Sequence, residues 1–186
     1  MKKLLLCAAM TLAGLVAVPA SANTLTFQGV TFETQAQDAD TLELTITNAL
    51  NGATGNWANI AFFRNFEIKE IGNVTGATLT GWITNVDDNL ANQGCSGGNQ
   101  MGACFTSAPL LALTDSMTFM IDFVGTNLDF SSPHLKVNFL DFATQDKAQG
   151  DLLSKNIPAV PEPETYALML AGLGAVGYMS KRRRKA

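Results

Sequence analysis

Histidine occurs once in the 186 residues, at position 134, and cysteine three times. One histidine excludes a His-built zinc site, and any Ser-His-Asp arrangement would have to run through His134. Ser131 and Ser132 lie beside it, but no nucleophile-elbow motif surrounds them, so His134 is read as a strand-edge residue following Pro133. Cations are scarce in the middle of the chain. Between Asn23 and Ile157 only Arg64, Lys69, Lys136, Lys147 and Lys155 are basic, against fourteen Asp and Glu, which leaves this stretch about nine units negative. That balance excludes nucleic acid as a partner, because no basic patch exists to neutralise phosphates. Divalent cations or neutral polymers suit it better. The middle also lacks any internal repeat and any 3.6-residue apolar period sustained beyond two turns, which excludes solenoids and helical bundles.

The two ends are unlike this middle. Met1, Lys2 and Lys3 precede an uncharged apolar run from Leu4 to Val18, and Ala20-Ser21-Ala22 then supplies the small residues that a signal peptidase accepts. This three-part order is a secretory signal, with Ala20 and Ala22 setting cleavage after residue 22. It implies passage through the secretory translocon, and Cys7 leaves with the signal. At the other end, a proline-marked break from Pro158 to Pro163 is followed by an uncharged run from Tyr166 to Met179 and by the cations Lys181, Arg182, Arg183, Arg184 and Lys185. Cations beside an apolar helix stay cytoplasmic, so both ends predict the same topology, with the middle outside. The second run has 14 residues, roughly 21 Å as a helix against a hydrocarbon core of roughly 30 Å. A single membrane helix this short is a temporary hold.

Pro161-Glu162-Pro163, a weakly apolar helix rich in Ala, Gly and Leu, and a terminal Arg cluster together resemble the PEP-CTERM sorting signal. The resemblance covers about the last 27 residues and gives no family for the rest. It implies a Gram-negative exported protein, often found beside exopolysaccharide synthesis machinery. It further implies that exosortase, a membrane-embedded cysteine protease, cuts near the Pro-Glu-Pro. Pro161, Glu162 and Pro163 are then recognition residues, held extended by the prolines, and the basic cluster from Lys181 to Lys185 is the membrane stop.

For residues 23–157, period-two alternation marks strands at Leu42-Leu44-Ile46, Phe119-Ile121-Phe123 and Leu135-Val137-Phe139, with the residues between them outward. Thr24–Phe32, Asn59–Ile71 (with Arg64 breaking the alternation) and Val74–Thr84 are further strand candidates. Asn51-Gly52, Gly72-Asn73 and the Gly-rich stretch 94–102 separate them. The expectation is a mainly β chain whose middle is an antiparallel β-sandwich or jelly-roll-like module, flanked by the signal peptide (1–22) and the sorting tail (158–186). Residues 85–109 would be the largest loop, and 147–159 a polar stalk. Cys95 and Cys104, nine positions apart in an oxidising compartment, predict a disulfide.

No cofactor is called for. Calcium between sandwich loops is compatible with Asp87 and Asp88 as ligands; Asp38-x-Asp40 starts like a calcium loop, but position six is Glu43 where Gly is required. Trp57 and Trp82 are core or rim residues, or else a platform for sugar rings. The sequence therefore points to an exported surface or extracellular-matrix-associated protein without evident catalysis, with exopolysaccharide as a partner. A carbohydrate- or ice-binding module is the alternative, and a secreted hydrolase a weaker one, since acidic β domains offer carboxylate pairs by chance.

Overall fold

The computed structural model describes residues 22–91, 93–98, 102–143 and 152–159, together with Leu170 and Leu173. The strands are β1 (Ala22–Phe27), β2 (Val30–Ala36), β3 (Thr41–Thr47), β4 (Phe62–Lys69), β5 (Asn73–Thr78), β6 (Trp82–Val86), β7 (Asp88–Ala91), β8 (Gly94–Gly97), β9 (Gly102–Ala112), β10 (Ser116–Thr126), β11 (His134–Leu140) and β12 (Leu153–Asn156). They form two five-stranded sheets, β1-β2-β3-β10-β5 and β12-β11-β4-β9-β6, and a separate hairpin, β7-β8. Every strand pairing among the described residues is antiparallel.

The two sheets face one another across an apolar core, as the alternation predicts. Leu42, Leu44 and Ile46 of β3 and Phe119, Ile121 and Phe123 of β10 point inward from the first sheet; Phe66, Ile68, Leu135, Val137 and Phe139 do so from the second. Ring contacts stitch the layers together: Phe32 to Phe139, Phe63 to Phe119, and Phe105 to Phe123, with centroids 6.4, 5.5 and 6.4 Å apart. Such pairs add about 0.5–1.5 kcal/mol each beyond the area they bury. Trp57, in a short 3₁₀ turn at Gly55–Trp57, is fully buried between Phe27, Phe32 and Phe139. Trp82 is partly buried against Phe63, Phe66 and Phe119. Trp57 is thus a core residue, and Trp82 a partly buried one packed against the core.

Several expected boundaries move. Thr24–Phe32 is two strands, because Gln28 (φ 46°) and Gly29 (φ 81°) both take positive φ and fold the chain back between the paired residues Phe27 and Val30. That is the backbone of a two-residue type I′ hairpin, whose twist suits the flanking strands. A Cβ on Gly29 would lie 2.0 Å from the Gly52 carbonyl oxygen, so glycine is required there twice over. Val74–Thr84 also divides, at Gly81 (φ 81°), where the Trp82 N–H bonds the Leu79 carbonyl and the chain crosses from one sheet to the other. Arg64 is where β4 bulges: Asn65 pairs Asn138 and Phe63 pairs Phe139, with Arg64 left over. The Ser107 hydroxyl donates to the Phe63 carbonyl (2.9 Å) at this irregularity.

Two larger expectations are corrected. Residues 85–109 are not one long loop: they hold the β7-β8 hairpin and most of β9. Residues 147–159 are not wholly a stalk either. Leu153–Asn156 pairs with β11, the Leu153 and Ile157 side chains are fully buried, and an isolated bridge joins Asn23 to Ala159. Asn23 of β1 and Ala159, just beyond β12, therefore lie side by side.

Candidate functional site

Three places on this scaffold carry chemistry beyond core packing. The first is the outer face of the β1-β2-β3-β10 sheet. Sheet register puts Thr26, Thr31, Thr47 and Ser116 in one row across four strands, and Thr24, Glu33, Thr45 and Thr118 in the next. Thr26 and Thr31 hydroxyls are 2.9 Å apart, and those of Thr45 and Thr118 are 3.2 Å apart. Thr45 also donates to Glu43 (3.4 Å), while Thr41 donates to Asp122 (3.0 Å). Neighbouring strands lie about 4.8 Å apart and alternate residues about 6.7 Å apart, so the side chains form a regular, twisted grid of hydroxyls. Thr24, Thr26, Thr45 and Thr47, far apart in the chain, come together on one face because the register lines them up, with Glu33 among them.

The second place lies between the β7-β8 hairpin and the outer face of β11-β4-β9. The disulfide Cys95–Cys104 ties β8 to β9, with an S–S distance of 2.10 Å. Beneath the hairpin sit four polar side chains at facing register positions, Asn65 and Glu67 on β4 and Asn138 and Lys136 on β11. Glu67 is fully buried and Lys136 is 8% exposed, with 3.2 Å between Lys136 Nζ and Glu67 Oε2. The same Glu67 oxygen accepts the Leu90 N–H at 2.8 Å, Lys136 Nζ lies 3.4 Å from the Leu90 carbonyl, and Asn138 Nδ2 donates to the Ala91 carbonyl at 2.7 Å. Lys136 Nζ is also in contact with the Asn89 carboxamide. Glu67 Oε1 has no hydrogen-bond partner among the described residues. This layer explains why Lys136 and Asn138, expected on the solvent side of a half-buried strand, are covered: the hairpin lies over them.

The third place is the seam of the two ends. Asn23 Nδ2 donates to the Phe130 carbonyl at 2.8 Å, and the Thr24 N–H reaches the Pro158 carbonyl at 3.3 Å.

Of the residues singled out in the sequence, the structure joins Cys95 and Cys104 as expected. Asp87 has φ 65° at the β6–β7 junction, and Asp88 opens β7. Among the described residues no group of three His, Cys, Asp or Glu surrounds them or forms elsewhere. His134 has both ring nitrogens engaged on β12, Nδ1 with Asn156 Oδ1 (2.7 Å) and Nε2 with Ser154 Oγ (2.9 Å), so it clasps an edge strand. In the β2–β3 turn, Asp38 Oδ1 accepts the Asp40 and Thr41 N–H groups (3.1 and 2.7 Å), which holds its carboxyl below the usual range. Hydrogen bonding to Asp38, and the charge there, pushes Asp40 up. Ala22 is the first residue of β1, whereas Ala20, Pro161, Glu162, Pro163, Lys181, Arg182, Arg183, Arg184 and Lys185 lie outside the described residues. Leu170 and Leu173 of the tail are helical and exposed; among the described residues no helix is long and apolar enough to cross a membrane.

A disulfide-closed β-sandwich module followed at once by a proline-marked, cation-ended tail is the class of protein these features define. Residues 159–185 match the family model described as the PEP-CTERM protein-sorting motif, beginning at the residue that closes the module's seam. The motif marks a secreted protein whose sorting to the cell surface depends on exosortase. No curated protein matches the chain. Among solved structures it is similar to one described as the crystal structure of an uncharacterized protein from Nocardia farcinica that reveals an immunoglobulin-like fold. The two are 12% identical with a TM-score of 0.37, over 73% of this chain and 81% of that one.

Proposed function

We propose that this chain is a non-enzymatic surface or extracellular-matrix-associated protein. Its signal is removed after Ala22, its tail is held briefly in the membrane through residues 166–179, and exosortase cuts near Pro161-Glu162-Pro163. The observation that carries the reading is the position of the motif, which starts at Ala159, the residue bridged to Asn23 of β1. Cutting two or more residues beyond that seam would break none of the strand pairs among the described residues. Deleting Pro161–Ala186 tests it: the truncated protein is expected to change its distribution between cell surface and medium, and unchanged distribution would sink the sorting claim.

A second reading concerns what the released module binds. The two rows, hydroxyls but for Glu33, favour a neutral, hydroxyl-rich surface, either polysaccharide or ice, over a charged ligand, since each hydroxyl can both donate to and accept from such a surface. Replacing Thr45 and Thr118 with Lys places two long charged chains across the rows. Loss of binding on a glycan array, or of ice-recrystallisation inhibition, would support this reading, and retention of whichever activity the wild type shows would exclude that face.

A further inference from the structure

We propose that Lys136 and Asn89 become joined by an intramolecular isopeptide bond, with Glu67 carrying the protons. Three observations converge on this. The Lys136 amine is buried and in contact with the Asn89 carboxamide. The fully buried Glu67 carboxylate stands 3.2 Å from the same amine. Its second oxygen, Oε1, has no hydrogen-bond partner among the described residues and is free to take up or hand on a proton. A nucleophile, an acyl group and an acid-base group are thereby fixed together by three different strands, β11, β7 and β4. Such fixed proximity is worth several orders of magnitude in rate over the same groups free in solution.

The chemistry balances without any added reagent. Lys136 Nζ passes a proton to Glu67 and attacks Asn89 Cγ; the new C–N bond forms as the Cγ–Nδ2 bond breaks. Of the three ammonium protons, one stays on the new amide and two leave with Nδ2 as ammonium, relayed through Glu67. Nothing is oxidised or reduced. Asn89 and Lys136 also line an open surface hollow with Leu90, Ala91, Leu152 and Ser154, through which ammonium can leave. The hairpin would then be fastened at both strands, β8 through the disulfide to β9 and β7 through the amide to β11.

Trypsin gives a direct readout, because Lys136 is the only Lys or Arg between Lys69 and Lys147. The full-length chain, produced in an exporting host so that Cys95–Cys104 forms, is denatured, reduced and digested. With the bond present, Lys136 is no longer a cleavage site, and residues 70–147 appear as one peptide lighter by one ammonia, with fragment ions linking Asn89 to Lys136. Separate peptides 70–136 and 137–147, with Asn89 intact or deamidated, from protein whose disulfide had formed would overturn the proposal. Glu67→Gln and Asn89→Ala are each expected to restore the two separate peptides while the disulfide still forms. Persistence of the linked peptide in Glu67→Gln would overturn the role given to Glu67, and its persistence in Asn89→Ala would overturn the choice of acyl group.

Discussion

Asp38 shows how a single side chain shapes a turn here. Its carboxylate accepts two successive backbone N–H groups, first that of Asp40 and then that of Thr41, which lowers its folded-state pKa below the unfolded value. A depressed carboxyl contributes stability that is complete above the ordinary aspartate range, about 3.9, and is lost as pH falls through the folded value. Asp38→Ala should therefore lower Tm most near neutral pH, and the gap from wild type should shrink as the buffer is taken toward about pH 2. A gap that stays constant across that titration would show that the charge does not matter. Cys95 and Cys104 could be paired from spacing and compartment alone. Glu67, Asn89 and Lys136 could not. Their meeting depends on strand register and on a hairpin folding over β4 and β11, and in sequence each is simply a polar residue in an alternating or polar stretch. A charge of each sign at the polar positions of two strands was the one signal available for a covered outer face.

At the level of elements, sequence periodicity gave β3, β10 and the inward residues of β11 correctly, since in each the apolar side chains recur at every second position. It failed where a turn used an unusual residue or where a strand was short. Gln28 holds the first positive-φ position of the β1–β2 turn, where Asn or Asp would have announced it. The strand β12 offers only Leu153 to the core, with three exposed residues after it, and so reads as polar linker. Leu153→Ala should nevertheless cost about 2–5 kcal/mol in urea unfolding, the usual range for a fully buried leucine; a loss below about 0.5 kcal/mol, within the range of ordinary surface substitutions, would return this segment to the status of a linker. The β7-β8 hairpin depends on its tether in the same way. Replacing Cys95 and Cys104 with Ser should cost about 2.5–3 kcal/mol by loop-closure entropy. Faster amide exchange confined to β7 and β8 is the accompanying sign, and unchanged protection there would show that the buried polar layer alone holds the hairpin down.

For the molecule as a whole, charge and fold divide the labour. The basic residues gather at the chain's two ends while the stretch between is acidic, and the sorting motif occupies residues 159–185, a segment separate from the sandwich. That division is why sorting was legible from a short motif at one end while the sandwich's ligand was not. A face of hydroxyls made by register across four strands leaves no contiguous signature in the chain.

The bridge between Asn23 and Ala159 has a topological consequence. With Asn23 bridged to Ala159 just beyond β12, the chain from 23 to 159 is nearly a closed ring, and the position of its break is arbitrary as far as packing is concerned. A circular permutant that joins Ala159 to Asn23 through a short Gly-Ser linker and opens between the exposed Leu50 and Asn51 should recover the same β-sheet circular dichroism and a single cooperative unfolding transition. If that permutant stays unfolded while the natural order folds, the order of synthesis matters to this sandwich in a way its finished contacts do not record.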